Sequence, residues 1–173
     1  MVLEIMTTAG NVKQLISEDS DLYKVITSYI DAVLRDPDSE IAKCTEDIRL
    51  HPEDAMMYIS RGLVYETLNN IDMAIADYTE AIRLDIDNET PMYYSRGDMY
   101  LRKGDLDNAI ADYTEAVRID PDFAEAYLNR GLAYEKKGSV DSAIADYTEA
   151  LRLDPDCEEA QKALAALNKV VRN

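Results

Sequence analysis

The strings IADYTEAIRLD (75–85), IADYTEAVRID (110–120) and IADYTEALRLD (144–154) are nearly the same. Self-similarity at a fixed period excludes one irregular core. It implies stacked copies of a small unit, each burying its apolar face against the next. Gly62 and Gly97 lie 35 residues apart, Gly97 and Gly131 lie 34 apart, and Tyr78, Tyr113 and Tyr147 keep the same spacings. The extra residue falls around Asp87, Asn88 and Glu89, in a turn, where an insertion costs little closure entropy. A chain spent on repeating one unit works by offering a surface rather than by assembling a catalytic centre.

Within a copy the pattern predicts two helices. Ala126, Tyr127, Arg130, Gly131 and Tyr134 recur at helical spacing on one face, and Ala143, Tyr147, Ala150 and Leu151 form a second stripe. Lys137 and Gly138 end the first helix, glycine being suited to the left-handed residue that follows a helix. Ser139, Asp105 and Asn70 are the expected N-caps of the second helices, with Asp72, Asp107 and Asp141 in the first turn, where the helix dipole favours negative charge. Pro121 and Pro155 stop the second helices.

The series Tyr127-x2-Arg130-Gly131-x2-Tyr134, then Ala143-x3-Tyr147, Ala150 and Pro155, resembles the tetratricopeptide repeat, a 34-residue antiparallel helix pair. The resemblance covers residues 55–156 in three consecutive copies. It implies an all-α fold, a right-handed superhelical solenoid. Two departures stand out: Ile86 replaces the closing proline of the first copy, and Arg61, Arg96 and Arg130 stand where the family usually has a large apolar residue.

The expected units are 55–89, 90–123 and 124–157. Upstream, IAKCTEDIRLHP at 41–52 matches the second half of a repeat, with Cys44 in the tyrosine slot, and Tyr23, Ile26, Ile30 and Leu34 share helical spacing before it. Residues 21–53 are thus expected to be a degenerate unit, and 1–20 an N-terminal segment with only a short helix near Val12 to Ile16. Glu158 to Val171 reads as a lone helix with Ala160, Ala163, Leu164, Leu167 and Val171 on one face, closing the stack within 158–173.

The chain carries 18 basic against 35 acidic residues, a net charge of −17. That excludes a nucleic-acid backbone as partner, which needs Lys and Arg to displace counterions, and docking on an anionic membrane. It also steers basic partners inward, although a solubilising surface charge is the plainer reading. No apolar run reaches the ~18 residues of a membrane span, so no insertion is expected. MVLEIMTTAG lacks the basic start of a leader, and Cys44 and Cys157 are too far apart in a linear stack to pair. Both features point to the cytoplasm.

Nine of the twelve tyrosines fall in three slots: Tyr58, Tyr93 and Tyr127; Tyr65, Tyr100 and Tyr134; and Tyr78, Tyr113 and Tyr147. Packing between helices accounts for them better than a ligand platform does. Each copy joins an Arg in its first helix to an Asp in its second: Arg61 with Asp77, Arg96 with Asp112, Arg130 with Asp146. Either the two pair, within or between units, or both reach solvent separately.

No catalytic or metal-binding constellation emerges, and no cofactor is expected. His51, the one histidine, sits at a helix end beside Pro52. Cys44 occupies a core slot, and the acid beside Cys157 disfavours a thiolate. Glu80–Arg83, Glu115–Arg118 and Glu149–Arg152 are i,i+3 pairs of a solvated face. The glycines Gly62, Gly97 and Gly131 read as helix-packing residues.

The resemblance places a binding groove on the first helix of each unit, away from the tyrosine stripe. The residues carried over are Met56, Ile59, Leu63 and Glu66; Pro91, Tyr94, Asp98 and Leu101; and Glu125, Leu128, Leu132 and Glu135. Such a line is too apolar for an idle face and suits an extended peptide or an amphipathic helix, with the acids preferring basic residues on it. Some proteins of this kind clamp the acidic C-terminal tails of heat-shock chaperones with Lys, Asn and Arg. Here Ile59, Leu63, Tyr94 and Asp98 occupy the clamp positions and only Asn129 resembles a remnant, so no such tail is expected. The expected function is a non-enzymatic protein-binding adaptor or scaffold. The rivals are self-association, with residues 1–20 or a second copy filling the groove, and a chaperone-like holder of a secreted or assembling substrate.

Overall fold

The computed structural model describes residues 35–84 and 89–171. Within them the chain forms eight helices and no strands. These are α1 (Pro37–Leu50), α2 (Ala55–Thr67), α3 (Ile71–Leu84), α4 (Glu89–Lys103), α5 (Leu106–Ile119), α6 (Ala124–Lys137), α7 (Val140–Leu153) and α8 (Glu158–Val171). The expectations for residues 1–20, for a helix over Asp21 to Leu34 and for the turn holding Ile86 lie outside the described residues.

Short turns join α2 to α3, α4 to α5 and α6 to α7. Their geometry follows from single residues. Gly104 (φ 84°) and Gly138 (φ 82°) take the left-handed position, and Asn69 (φ 58°) fills it in the first copy. Asp105 caps α5, accepting from the Asn108 amide at 3.4 Å. Ser139 stands at the N-cap of α7 but its side chain makes no capping bond. That entry is held through the backbone, by Ser139 N–H to the Tyr134 carbonyl at 2.9 Å and Ala143 N–H to the Ser139 carbonyl at 3.0 Å. Asn70 is tied the same way, to the Tyr65 carbonyl at 2.8 Å. Two caps went unnoticed in the sequence: Asp36 on Ser39 and Asp54 on Met56. The main chain of His51 closes α1.

Helices of a pair pack most closely, and each second helix then packs on the first helix of the following unit, so every unit touches its neighbours in a linear stack. The buried side chains accordingly form a chain of small clusters. One holds Tyr65, Ala74, Tyr78 and Met99, another Ala116, Val117 and Ala126, and the last Ala143, Tyr147, Ala150, Ala160 and Leu167. Tyr78, Tyr113 and Tyr147 are each 0–1% exposed. Their rings explain the glycines opposite: a Cβ on Gly62, Gly97 or Gly131 would meet the ring of Tyr78, Tyr113 or Tyr147 at 2.9–3.0 Å.

The Arg–Asp question resolves to pairing within units. Arg96 Nε and Nη2 reach both oxygens of Asp112 at 2.8 Å, and Arg61–Asp77 and Arg130–Asp146 repeat the fork at 2.7–2.8 Å. The remaining Nη1 donates to a threonine of the preceding second helix: Arg61 to Thr45, Arg96 to Thr79, Arg130 to Thr114. One side chain thus links two units. This is why the arginine replaces an apolar residue: it neutralises the buried Asp77, Asp112 and Asp146 and also fixes the stacking register.

Helix α8 ends the stack. Ala160, Ala163, Leu164 and Leu167 pack on Ala143, Tyr147 and Ala150, while Glu159, Gln161, Lys162 and Asn168 are exposed. Leu164 stands in the arginine slot, so the last interface is apolar where the earlier ones carry a fork.

Candidate functional site

The first helices α2, α4 and α6 follow one another along the stack, and α4 also touches α6 directly. Their outward faces carry the residues picked from the sequence, and the structure divides these into three groups. Met56, Leu63 and Leu132 are exposed, at 56%, 42% and 36%. Met56 also lines a shallow hollow with Leu50, His51 and Leu84. Ile59, Tyr94 and Leu128 share one slot and are partly buried because each packs towards the next unit: Ile59 beside Ala81 and Met92, Tyr94 on Phe123, Leu128 on the cluster around Tyr147. The Tyr94 ring lies 4.8 Å from Phe123 and 5.9 Å from Tyr113, so this tyrosine is largely spent on packing. Pro91 and Glu125 are exposed, and Leu101 is half-buried.

The third group is the acids, and here the structure adds what the sequence did not suggest. Each buried tyrosine of a second helix donates its hydroxyl to an acid on the first helix of its own unit. Tyr78 donates to Glu66 at 2.5 Å, Tyr113 to Asp98 at 2.5 Å and Tyr147 to Glu135 at 2.7 Å. In the outer units the acceptor is a glutamate four residues after the glycine. In the central unit that place is Leu101, and Asp98, one residue after Gly97, takes over. Asn129 reaches back from α6, donating to Asp98 Oδ1 and to the Tyr94 hydroxyl, both at 3.0 Å. Its amide nitrogen is therefore engaged within the row.

The electrostatics set this row apart from the Arg-forked aspartates. Among the described residues neither Glu66 nor Asp98 has a cation within ion-pair distance. Arg102 lies close enough to be felt by both, but its guanidinium donates to Asn69 at 2.5 Å. Burial, reinforced by the charge of Glu66, pushes the Asp98 carboxyl up to about 6 despite the Tyr113 and Asn129 bonds. Burial also raises Glu66. Burial holds the Tyr78, Tyr94 and Tyr113 phenols far above their ordinary range, so they remain donors. Away from this row, burial raises the Cys44 thiol, both cysteines are free, and no cluster among the described residues could hold a metal.

A solenoid of helix pairs with apolar and acidic side chains along its first helices defines a protein-interaction module. Family models described as tetratricopeptide repeat match residues 55–88 and 124–157, and one described as TPR repeat matches 97–138. The Arabidopsis OM64 TPR domain is 31% identical, with 66% of this chain and 94% of that chain covered and a TM-score of 0.63. The chain belongs to the tetratricopeptide repeat family. The first TPR of Spaghetti (RPAP3), bound to the HSP90 peptide SRMEEVD, is 26% identical over 69% of this chain and 94% of that chain, with a TM-score of 0.66. MamA (41-end) from Desulfovibrio magneticus RS-1 shares the fold at 21% identity, over 88% of this chain and 87% of that chain, with a TM-score of 0.75. Comparison with curated proteins gives no match. No described helix is long and apolar enough to cross a membrane.

Proposed function

We propose that the chain is a non-enzymatic adaptor that holds a peptide or an amphipathic helix of a protein partner along α2, α4 and α6. The observation that carries this reading is the exposure of Leu63 and Leu132, in equivalent places two units apart, with the acids of the row between them. Large apolar side chains left in water at matching repeat positions favour a partner that covers them.

The likeness to the RPAP3 domain favours a chaperone tail as that partner. The side chains here argue otherwise: a peptide ending in EEVD would bring carboxylates against Glu66, Asp98 and Glu125, with the Asn129 amide already committed. Titrating SRMEEVD separates the two, and micromolar binding would return the chaperone tail to first place. The broader reading is tested by capture from a source lysate with the wild type and with Leu63→Glu/Leu132→Glu. A protein retained by the first and lost by the second, with dichroism and melting unchanged, supports the groove. Equal capture by both would move the binding surface elsewhere.

A further inference from the structure

The repeat supplies each second-helix aspartate with its own arginine. It supplies the acids of the groove with tyrosine hydroxyls and, at Asp98, an asparagine amide, all of them neutral. Two of these acids, Glu66 on α2 and Asp98 on α4, come from adjacent units, and the charge of Glu66 is felt at Asp98. Asp98 holds, in the central unit, the place that the exposed Leu63 and Leu132 hold in the outer two. We propose that the groove is built for a basic amphipathic peptide, whose apolar side chains cover Leu63 and Leu132 and whose lysine or arginine is seated against Glu66 and Asp98. This rests on the groove reading and narrows it to one partner chemistry.

Charge complementarity carries the choice. A cation at this point offsets the charge of Glu66 felt at the half-buried Asp98, which the neutral donors cannot do. An acidic or uncharged peptide would leave that charge in place. Among the described residues the groups facing the pair are Tyr78 from α3, Tyr94 and Arg102 from α4, Tyr113 from α5 and Asn129 from α6. Of these, Arg102 is the single cation, and it is held by Asn69. Because burial places the Asp98 carboxyl at about 6, the seat loses the Asp98 charge under mild acid, and affinity for a basic peptide falls as pH drops through that value.

The experiment uses two synthetic probes, a Leu/Ala/Lys amphipathic peptide and its twin with glutamine for each lysine, with binding followed by anisotropy. The lysine peptide is expected to bind about tenfold tighter than the twin at neutral pH. Asp98→Asn/Glu66→Gln should bring the two within about twofold, and Glu80→Gln/Glu115→Gln, which removes as much charge from second helices, should leave the preference intact. Equal binding of both peptides by the wild type overturns the cation seat, as does a preference that survives Asp98→Asn/Glu66→Gln or disappears in Glu80→Gln/Glu115→Gln. In those cases the groove reading still stands if Leu63→Glu/Leu132→Glu weakens both peptides. Failure of the lysine peptide to bind also overturns the proposed partner chemistry. Glu66→Gln alone supplies the comparison if the double variant melts early.

Discussion

Asp112 is 5% exposed and receives two charged hydrogen bonds from Arg96, so the pair behaves as one unit. Arg96→Gln strands a buried carboxylate and is expected to cost about 3 kcal/mol in urea unfolding. Asp112→Asn strands the guanidinium. The double variant should cost less than the two singles added, and a coupling of zero would show that the fork contributes nothing. Asp98 behaves in the opposite sense. Its folded carboxyl lies above the ordinary range, so the folded state holds the proton more tightly than the unfolded chain does. Ionised Asp98 therefore penalises the fold above about pH 6, and the penalty fades as pH falls towards the unfolded value. Asp98→Asn keeps an acceptor for Tyr113 and Asn129. It should stabilise the protein at neutral pH and lose that advantage in mild acid, with urea midpoints at several pH values as the check.

Helices α1 to α7 were largely legible in sequence because a repeat shows the same decision several times: glycine or asparagine at the turn, alanine where helices approach, tyrosine facing glycine. The periodicity also gave α8 and the face it lays on the preceding pair. Leu164 in the arginine slot closes the final interface with apolar contact, and no further fork is needed. Leu167→Ala is expected to cost about 2–4 kcal/mol, because Leu167, 7% exposed, packs in the cluster of Ala143, Tyr147 and Ala150 and its removal leaves a cavity there. Thermal melts of Leu167→Ala and of Lys162→Ala make the comparison. Lys162 pairs with Glu158 in full exposure, and its loss should leave the melting temperature unchanged.

Among the described residues each unit packs mainly on its immediate neighbours. Local opening should therefore be easiest at the ends and hardest in the middle. Amide exchange is expected to be slowest in α4 and α5, which have a complete unit on either side. Uniform protection along the stack would mean that the arginine–threonine links bind the units into one cooperative block. The net charge of −17 adds a long-range term: association with a basic partner should slow as ionic strength rises.

By itself the sequence determined the helix pairs and their order. Both follow from spacing and size, which a repeat states three times over. The tertiary structure alone decided which polar groups meet. The co-occurrence of Arg and Asp raised a question, and only the packing of α2 on α3, α4 on α5 and α6 on α7 answered it. The acids of the groove looked like free surface charges until the second helices brought Tyr78, Tyr113 and Tyr147 beneath them. Hydrogen bonds between helices depend on ångström-scale approach and on burial, and a pattern of letters along one chain carries neither.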